Sequence, residues 1–295
     1  MTDRIPVIKT CKLYINGAFP RSESGRVLPL RNGEWGVVAQ IAHASRKDLR
    51  DAVEAASAAQ PKWAAATAYN RGQVLYRIAE MMEARSGELV ATIRDIDDVS
   101  PAAAKREVEA SIDRVVRFAG WTDKIAQVLG NQNPVAGPYY NFTVPEATGV
   151  VAVVAPNAPS LLGLVTLLCA PLCAGNAVIA ISSDSNPLPA VSLMEILATS
   201  DVPAGVVNIL TGQRSELLGH LATHREINAI SAATADAKEA RTLELGAAEN
   251  LKRVRIVRDA KPDARPDWSD DDRFAGPWSI EPFVEMKTIW HPCST

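Results

Sequence analysis

The longest apolar stretch, residues 149–212, alternates short β-branched runs with longer apolar segments. Val150–Val154, Ala177–Ile181 and residues 206–210 are apolar at nearly every position, which predicts strands buried on both faces. Residues 161–173 and 190–199 are long enough for crossover helices. The unit therefore reads β-α-β-α-β, with right-handed crossovers in a parallel sheet. Ligands of such sheets sit at the carboxyl ends of the strands, so the residues following Val154, Ile181 and Leu210 are the ones to watch. Because no charge occurs between Glu146 and Asp184, a membrane span competes for this stretch. Pro171, Gly175 and Asn176 interrupt the only window of spanning length, and Ala-Gly-Asn reads as a helix stop followed by a strand.

Upstream, residues 12–19 (KLYINGAF) turn Leu13 and Ile15 inward and then meet Asn16-Gly17, a strong hairpin-turn signal. Residues 37–41 form a candidate next strand. From Lys47 the period becomes helical, with Leu49, Val53 and Ala56 on one side. Residues 71–85 give the clearest amphipathic helix, its stripe made of Val74, Leu75, Ile78, Met81 and Met82. A third helix carries Leu89, Val90, Ile93 and Ile96, and a fourth carries Val108, Ile112, Val115 and Val116. These stripes read as core.

Residues 130–145 break the helical pattern, with 139–144 extended. Beyond Gly212 the expected order is a short helix at 214–223, a strand at 227–231, a helix at 235–245 and a last sheet strand at 254–257. Residues 258–277 are rich in Pro and Asp, which is linker composition. Residues 280–290 then resume as a strand, with Val284, Met286, Thr288 and Trp290 on one face. A lone terminal strand must pair with another edge of this chain or of a partner, and a partner is the favoured choice. The chain divides into 1–133 (strands and helices), 134–147 (a strand region), 148–257 (the αβ core), 258–278 (linker) and 279–295 (terminal strand and tail).

Composition narrows the classes. The 295 residues, 47% hydrophobic and 22% charged, suffice for one large or two ordinary globular domains. A net charge of −3 gives no electrostatic footprint for nucleic acid or an anionic membrane. Cys11, Cys169, Cys173 and Cys293 form no disulfide framework in a chain of this size, and Cys169 with Cys173 on an apolar helix reads as packing. The opening MTDRIPVIKT has no apolar signal core, so a cytoplasmic location is expected. His220 and His224 lie one helical turn apart but have no third metal ligand in sequence, which favours a solvated face over a metal site. His43 and His291 are isolated, and the scattered tryptophans, Trp63 and Trp121 among them, read as packing residues.

Several segments, taken together and in this order, resemble the aldehyde dehydrogenase superfamily: KLYINGAFPRSESGR, RGQVLYRIAEMME, FAGWTDKI, GVVAVVAP, AGNAVI, VPAGVVNILTG and LELG. The resemblance implies an α/β fold, a Rossmann-like doubly wound parallel sheet with N-terminal helices. It also implies that residues 139–144 and the terminal EPFVEMKTIW correspond to the family's oligomerisation strands, the last inserting at a neighbouring subunit. In the family a domain bearing the nucleophilic cysteine follows the LELG segment, ahead of that last strand; here the 258–277 segment stands in its place. Aldehyde oxidation needs a thiolate to attack the carbonyl. The only cysteine after Glu244 is Cys293, a tail residue.

By the same resemblance, Glu244 matches the family's general base, and Asn157 lies one residue short of the oxyanion-stabilising asparagine, which aligns with Ala158. Both are read as vestigial. Vestigial cofactor positions are Pro156, Asp184, Gly212 and Gly246. The family lysine that binds the adenosine ribose aligns with Ile181, which offers no donor. Two family glycines align with Arg214 and Leu218, whose side chains would fill space that bare backbone leaves open. The Gly-Ser that receives the pyrophosphate becomes Thr234-Ala235, and a later helix glycine becomes Glu239, an unfavourable charge near a phosphate site. No GxGxxG motif compensates. The expectation is a non-catalytic subunit, without NAD(P), that assembles with itself or with a full-length aldehyde dehydrogenase. The alternatives are an NAD(P)-dependent aldehyde dehydrogenase completed in trans, or a nucleotide-binding module.

Overall fold

A computed structural model describes residues 7–33, 36–234, 236–258 and 266–293. The chain begins with β1 (Lys9–Cys11), β2 (Val27–Asn32) and β3 (Gly36–Ala42), then four helices: α1 (Arg46–Ala65), α2 (Ala68–Ala84), α3 (Ser86–Asp97) and α4 (Pro101–Trp121). A short α5 (Ile125–Leu129) leads into β4 (Asn131–Asn133) and β5 (Tyr139–Ala147). The central alternation comes next as β6 (Val150–Val154), α6 (Leu162–Cys173), β7 (Ala177–Ile181), α7 (Leu188–Leu197) and β8 (Val207–Leu210). It continues through α8 (Leu218–Thr223), β9 (Ala229–Ala232), α9 (Ala237–Ala248) and β10 (Arg253–Ile256). The described chain closes with α10 (Asp271–Phe274) and β11 (Val284–Pro292).

The principal sheet is parallel, in the order β10-β9-β6-β7-β8. Its direction of winding reverses at β6, so helices cover both faces and the ends of β6 and β9 form the switch point at which sheets of this kind place a binding crevice. Alternation along β6 shows why the strand is apolar throughout. Val151 and Val153 join the core shared with α2, α4, α6 and α7, while Val150, Ala152 and Val154 join the core under α1, α8 and α9. The α6 segment that competed as a membrane span is buried at every residue in the first of these cores, between the sheet and helices α2 and α4. Among the described residues no helix is long and apolar enough to cross a membrane.

Local chemistry sets the element ends. Ser45 and Asp48 form a reciprocal capping box on α1, and Ser100 with Pro101 opens α4. Asn16 and Gly17 have φ of 53° and 72°, the doubly positive geometry that a two-residue hairpin turn demands. That hairpin is limited to the Ile15–Ala18 bridge, and Tyr14 docks instead on Ile209 of β8.

Five expectations need correction. The segment at 214–223 splits into a 3-10 turn, Arg214–Glu216, and the short α8. Strand β11 starts at Val284, after two 3-10 turns, and runs to Pro292. It pairs antiparallel with β5 of the same chain over nine positions, whereas a partner's edge was the favoured choice. The face carrying Met286, Thr288 and Trp290 is exposed, because only Val284 reaches the core. The described part of the Pro/Asp-rich segment is packed: Trp268 and Phe274 stack at 4.7 Å and are buried, and Ala275 is buried with them. The rest of that segment lies outside the described residues. Strands β1, β2 and β4 were not anticipated; β2 contains Pro29, which only an edge strand tolerates.

Candidate functional site at the strand ends

Strand β6 delivers Pro156 and Asn157 to the carboxyl edge of the sheet. Pro156 is buried against α6 at Gly163, where a Cβ would stand 2.1 Å from the Pro156 Cγ, so only glycine lets the helix approach. Asn157 is exposed. Strand β7 ends in Ile181, fully buried in the sheet core, followed by Ser182, Ser183 and Asp184. Strand β8 leads through Thr211 to Gly212, at φ 127° and packed so closely on His43 that a Cβ would lie 2.7 Å from its Cδ2.

The turn after Gly212 defines the site. The Arg214 side chain folds back across the strand ends and is 4% exposed. Its Nη2 donates to Asn157 Oδ1 at 2.6 Å, and its Nε lies 3.2 Å from Asp184 Oδ2. The Nε contact is ionic only, since the N–H is not aligned for a hydrogen bond. The Arg214 backbone N–H donates to Asp184 Oδ1 at 3.1 Å, and the Asp184 N–H donates to Asn157 Oδ1, also at 3.1 Å. Asn157 Oδ1 thus spends its acceptor capacity inside the cluster. Beside it a cavity of about 480 Å³ opens between Asp184, Ser183, Gly212 and Gln213 on one side and Leu28 and Ile41 on the other.

A second polar group lies behind Asn157. Asn186 Nδ2 and Ser160 Oγ donate to Asp97 Oδ2 at 3.0 and 3.3 Å. Glu107 Oε1 accepts from the Leu161 and Leu162 N–H groups, capping α6 from another helix. Burial pushes the carboxyls of both Asp97 and Glu107 above the usual range. An acid with a raised folded pKa binds more protons folded than unfolded, so stability falls as pH rises through the raised value. The Glu107→Gln variant keeps an acceptor for both N–H groups and removes the buried charge. Its denaturation midpoint should therefore gain on the parent's between pH 5 and pH 7.5, and a constant difference would contradict this.

The opposite side of the crevice is acidic. Asp236 caps α9 by accepting from the Lys238 N–H at 2.7 Å, and Glu239 in the first turn accepts from Thr234 Oγ1 at 2.6 Å. Ala235 lies outside the described residues. Glu244, further along α9, is exposed and makes no hydrogen bond or ion pair among the described residues. Gly246 is buried against Ala222, and Leu218 is buried under the sheet. The structure therefore brings Asn157, Asp184 and Gly212 together around Arg214, and places Glu244 and Gly246 apart on α9. Sequence marked Arg214 as a bulky replacement for glycine; its pairing with two named site residues depends on the fold.

Three cysteines are in the core. Burial pushes the Cys169 thiol up to about 12 and raises Cys173 and Cys11 as well. Cys293 is exposed, just beyond β11. His220 and His224 share a hollow of about 230 Å³ with Arg46 and Arg50 of α1, a cationic setting.

Comparison with known families places this arrangement. The model of the aldehyde dehydrogenase family matches residues 24–260. The chain belongs to the aldehyde dehydrogenase family. It is 30% identical over 261 residues to cytosolic aldehyde dehydrogenase 1 of Elephantulus edwardii, covering 86% of this chain and 51% of that relative. PnpE from Pseudomonas sp. WBC-3 superposes with a TM-score of 0.78 at 28% identity, over 84% of this chain and 50% of that one. The NAD+ complex of the Bacillus cereus aldehyde dehydrogenase gives 0.79 at 25% identity, over the same shares. The chain thus spans about half the length of the relatives it matches, and its α/β sheet is the Rossmann-like sheet of the family.

Proposed function

We propose that this chain is a non-catalytic, cytoplasmic member of its family, a structural or regulatory subunit that assembles with itself or with a full-length, active aldehyde dehydrogenase. The observation that carries the reading is the route from β10 to β11. Residues 257–283 make that passage, and their described part is tied back to α4 at Trp268 and Ala275 and buries Phe274, so no thiol-bearing domain intervenes. Thioester chemistry on an aldehyde requires an accessible thiolate beside the general base. Three cysteines are buried with raised pKa, and Cys293 lies past the terminal strand.

The residues present do not fit a nicotinamide dinucleotide. Arg214 occupies the strand ends and binds Asp184 and Asn157, while the first turn of α9, where a pyrophosphate would seek N–H groups and a positive dipole end, holds the carboxylates of Asp236 and Glu239. Ile181 adds no donor. Titrations of the purified chain with NAD and NADP should accordingly be flat, and saturable heat with either would contradict this.

Light scattering tests the subunit role, on the chain alone and co-expressed with a full-length aldehyde dehydrogenase from the same source. A defined assembly that disappears when residues 284–292 are deleted is expected; a chain that is monomeric and ignores that enzyme refutes the reading. The second reading, an NAD(P)-dependent enzyme completed in trans, draws on the solvent-facing carboxylate of Glu244, which has no partner among the described residues. Aldehyde turnover that appears only on mixing, and is lost in Glu244→Gln, would establish it instead.

A further inference from the structure

The antiparallel sheet has the order β11-β5-β4, so β5 is paired on both sides and β11 is an edge. Among the described residues no strand covers the outer edge of β11. A nine-residue strand with its outer edge open is a template for another strand. No proline or bulge blunts this edge between Val284 and His291, its charged residues Glu285 and Lys287 are held in ion pairs by Arg253 and Glu146, and Met286 and Trp290 are 46% and 58% exposed.

We propose that β11 pairs antiparallel with β11 of a second copy, on a two-fold axis through Thr288, joining the two three-stranded sheets into one of six strands. The proposal rests on the subunit reading above and names its partner. A two-fold perpendicular to the sheet keeps each side chain on its own face, so the axis must pass through a residue. Only Thr288, the midpoint of Val284–Pro292, uses the whole strand.

That register also satisfies the side chains. Met286 of each copy falls opposite Trp290 of the other, a sulfur-aromatic pairing made twice, and Tyr139, already edge-on to Trp290 at 5.8 Å, extends the strip. Glu285, held by Arg253 at 2.8 Å, falls opposite His291. Lys287, tied to Glu146 at 2.8 Å, falls opposite Ile289. Pro292 has no N–H to donate, and it falls opposite Val284, whose carbonyl already accepts from Arg253 Nη1. Moving the axis one residue back sets Lys287 directly against Lys287, which is repulsive.

The test is site-directed cross-linking with a short bifunctional thiosulfonate in a Cys293→Ser background, beside light scattering of the unaltered chain. Thr288→Cys should give a covalent dimer in high yield, because its thiols face each other across the axis. His291→Cys should not, since its two copies would lie six residues out of register, roughly 20 Å apart along the strands. Should Thr288→Cys fail to fold, Met286→Lys in the otherwise unaltered chain asks the same question and should raise the dimer dissociation constant at least tenfold. A dimer in solution that cross-links through His291→Cys, or not through Thr288→Cys, overturns this register while leaving the subunit reading intact. A chain that is monomeric alone yet joins a full-length aldehyde dehydrogenase overturns self-pairing only. A chain that does neither overturns both.

Discussion

Replacing Arg114 with alanine should cost about 3–5 kcal/mol of stability, the range for truncating a large, fully buried side chain. Arg114 sits on α4 with its side chain 1% exposed, amid Ser111, Ile112, Val115 and Phe118. Its Nη1 donates to Thr166 Oγ1 on α6 at 2.7 Å, and its Nη2 donates to the Trp268 carbonyl at 2.8 Å and to Asp271 Oδ1 at 3.1 Å. One guanidinium therefore fastens the 266–279 segment to two core helices. Burial pushes its pKa down, with Asp271 opposing, yet an arginine starts so high that it stays charged. Alanine would strand the Trp268 carbonyl, leave a cavity, and release the stacked Trp268 and Phe274. Denaturant unfolding should show the loss, and tryptophan emission should shift to the red before global unfolding. The Arg117→Ala change is the control: Arg117 pairs with the other oxygen of Asp271 at 2.8 Å but is 54% exposed, and its loss should cost no more than about 1 kcal/mol. A midpoint for Arg114→Ala close to that of the control would mean that the segment is held by apolar contact alone.

This clamp shows where sequence reading runs out. Period and composition located the parallel strands and their crossover helices, because a strand buried on both faces is apolar at every position and its turns carry Gly, Pro or Asn. The strand starts at 150 and 177 and the stop at Asn176 obey that rule. Asn176 is fully buried and bonds Gly149, Pro171 and Phe283, so the residue that ends α6 also pins the start of β11. Neither long-range bond has a local signature. The 266–279 segment misled for a related reason. Its charge density reads as linker, yet its aspartates cap α10 and pair with arginines on α4, and two stacked aromatics add to that anchorage. β11 was read as a strand with one apolar face; that this face meets solvent depends on which strand it joins. At the site, the set of altered positions was legible by resemblance. The convergence of Asn157 and Asp184 on Arg214 was not, since three separate strand ends must be brought together first.

Arg214→Gly separates two explanations for the altered crevice. If Arg214 alone closed it, glycine would restore the small residue of the family pattern and open the strand ends to a dinucleotide. The carboxylates at the start of α9 argue otherwise, because Asp236 and Glu239 already take the helix N–H group and the neighbouring hydroxyl that a pyrophosphate would need, and their charge repels it. The single substitution should therefore leave the NAD titration flat. It should also destabilise the fold by about 2–3 kcal/mol, at the lower end for a buried pair because Asp184 keeps a third of its side chain in water. Asn157 Oδ1 would lose its shortest donor and Asp184 its counter-charge, so the loop after β7 should exchange amide hydrogens faster than in the parent. Only with Glu239 also changed to glycine does the crevice regain room and charge balance for an anion, and weak dinucleotide binding is expected first in that double variant. Micromolar NAD binding by Arg214→Gly alone would make that arginine the sole gate, and the chain would then be a dinucleotide-binding protein held shut by one side chain.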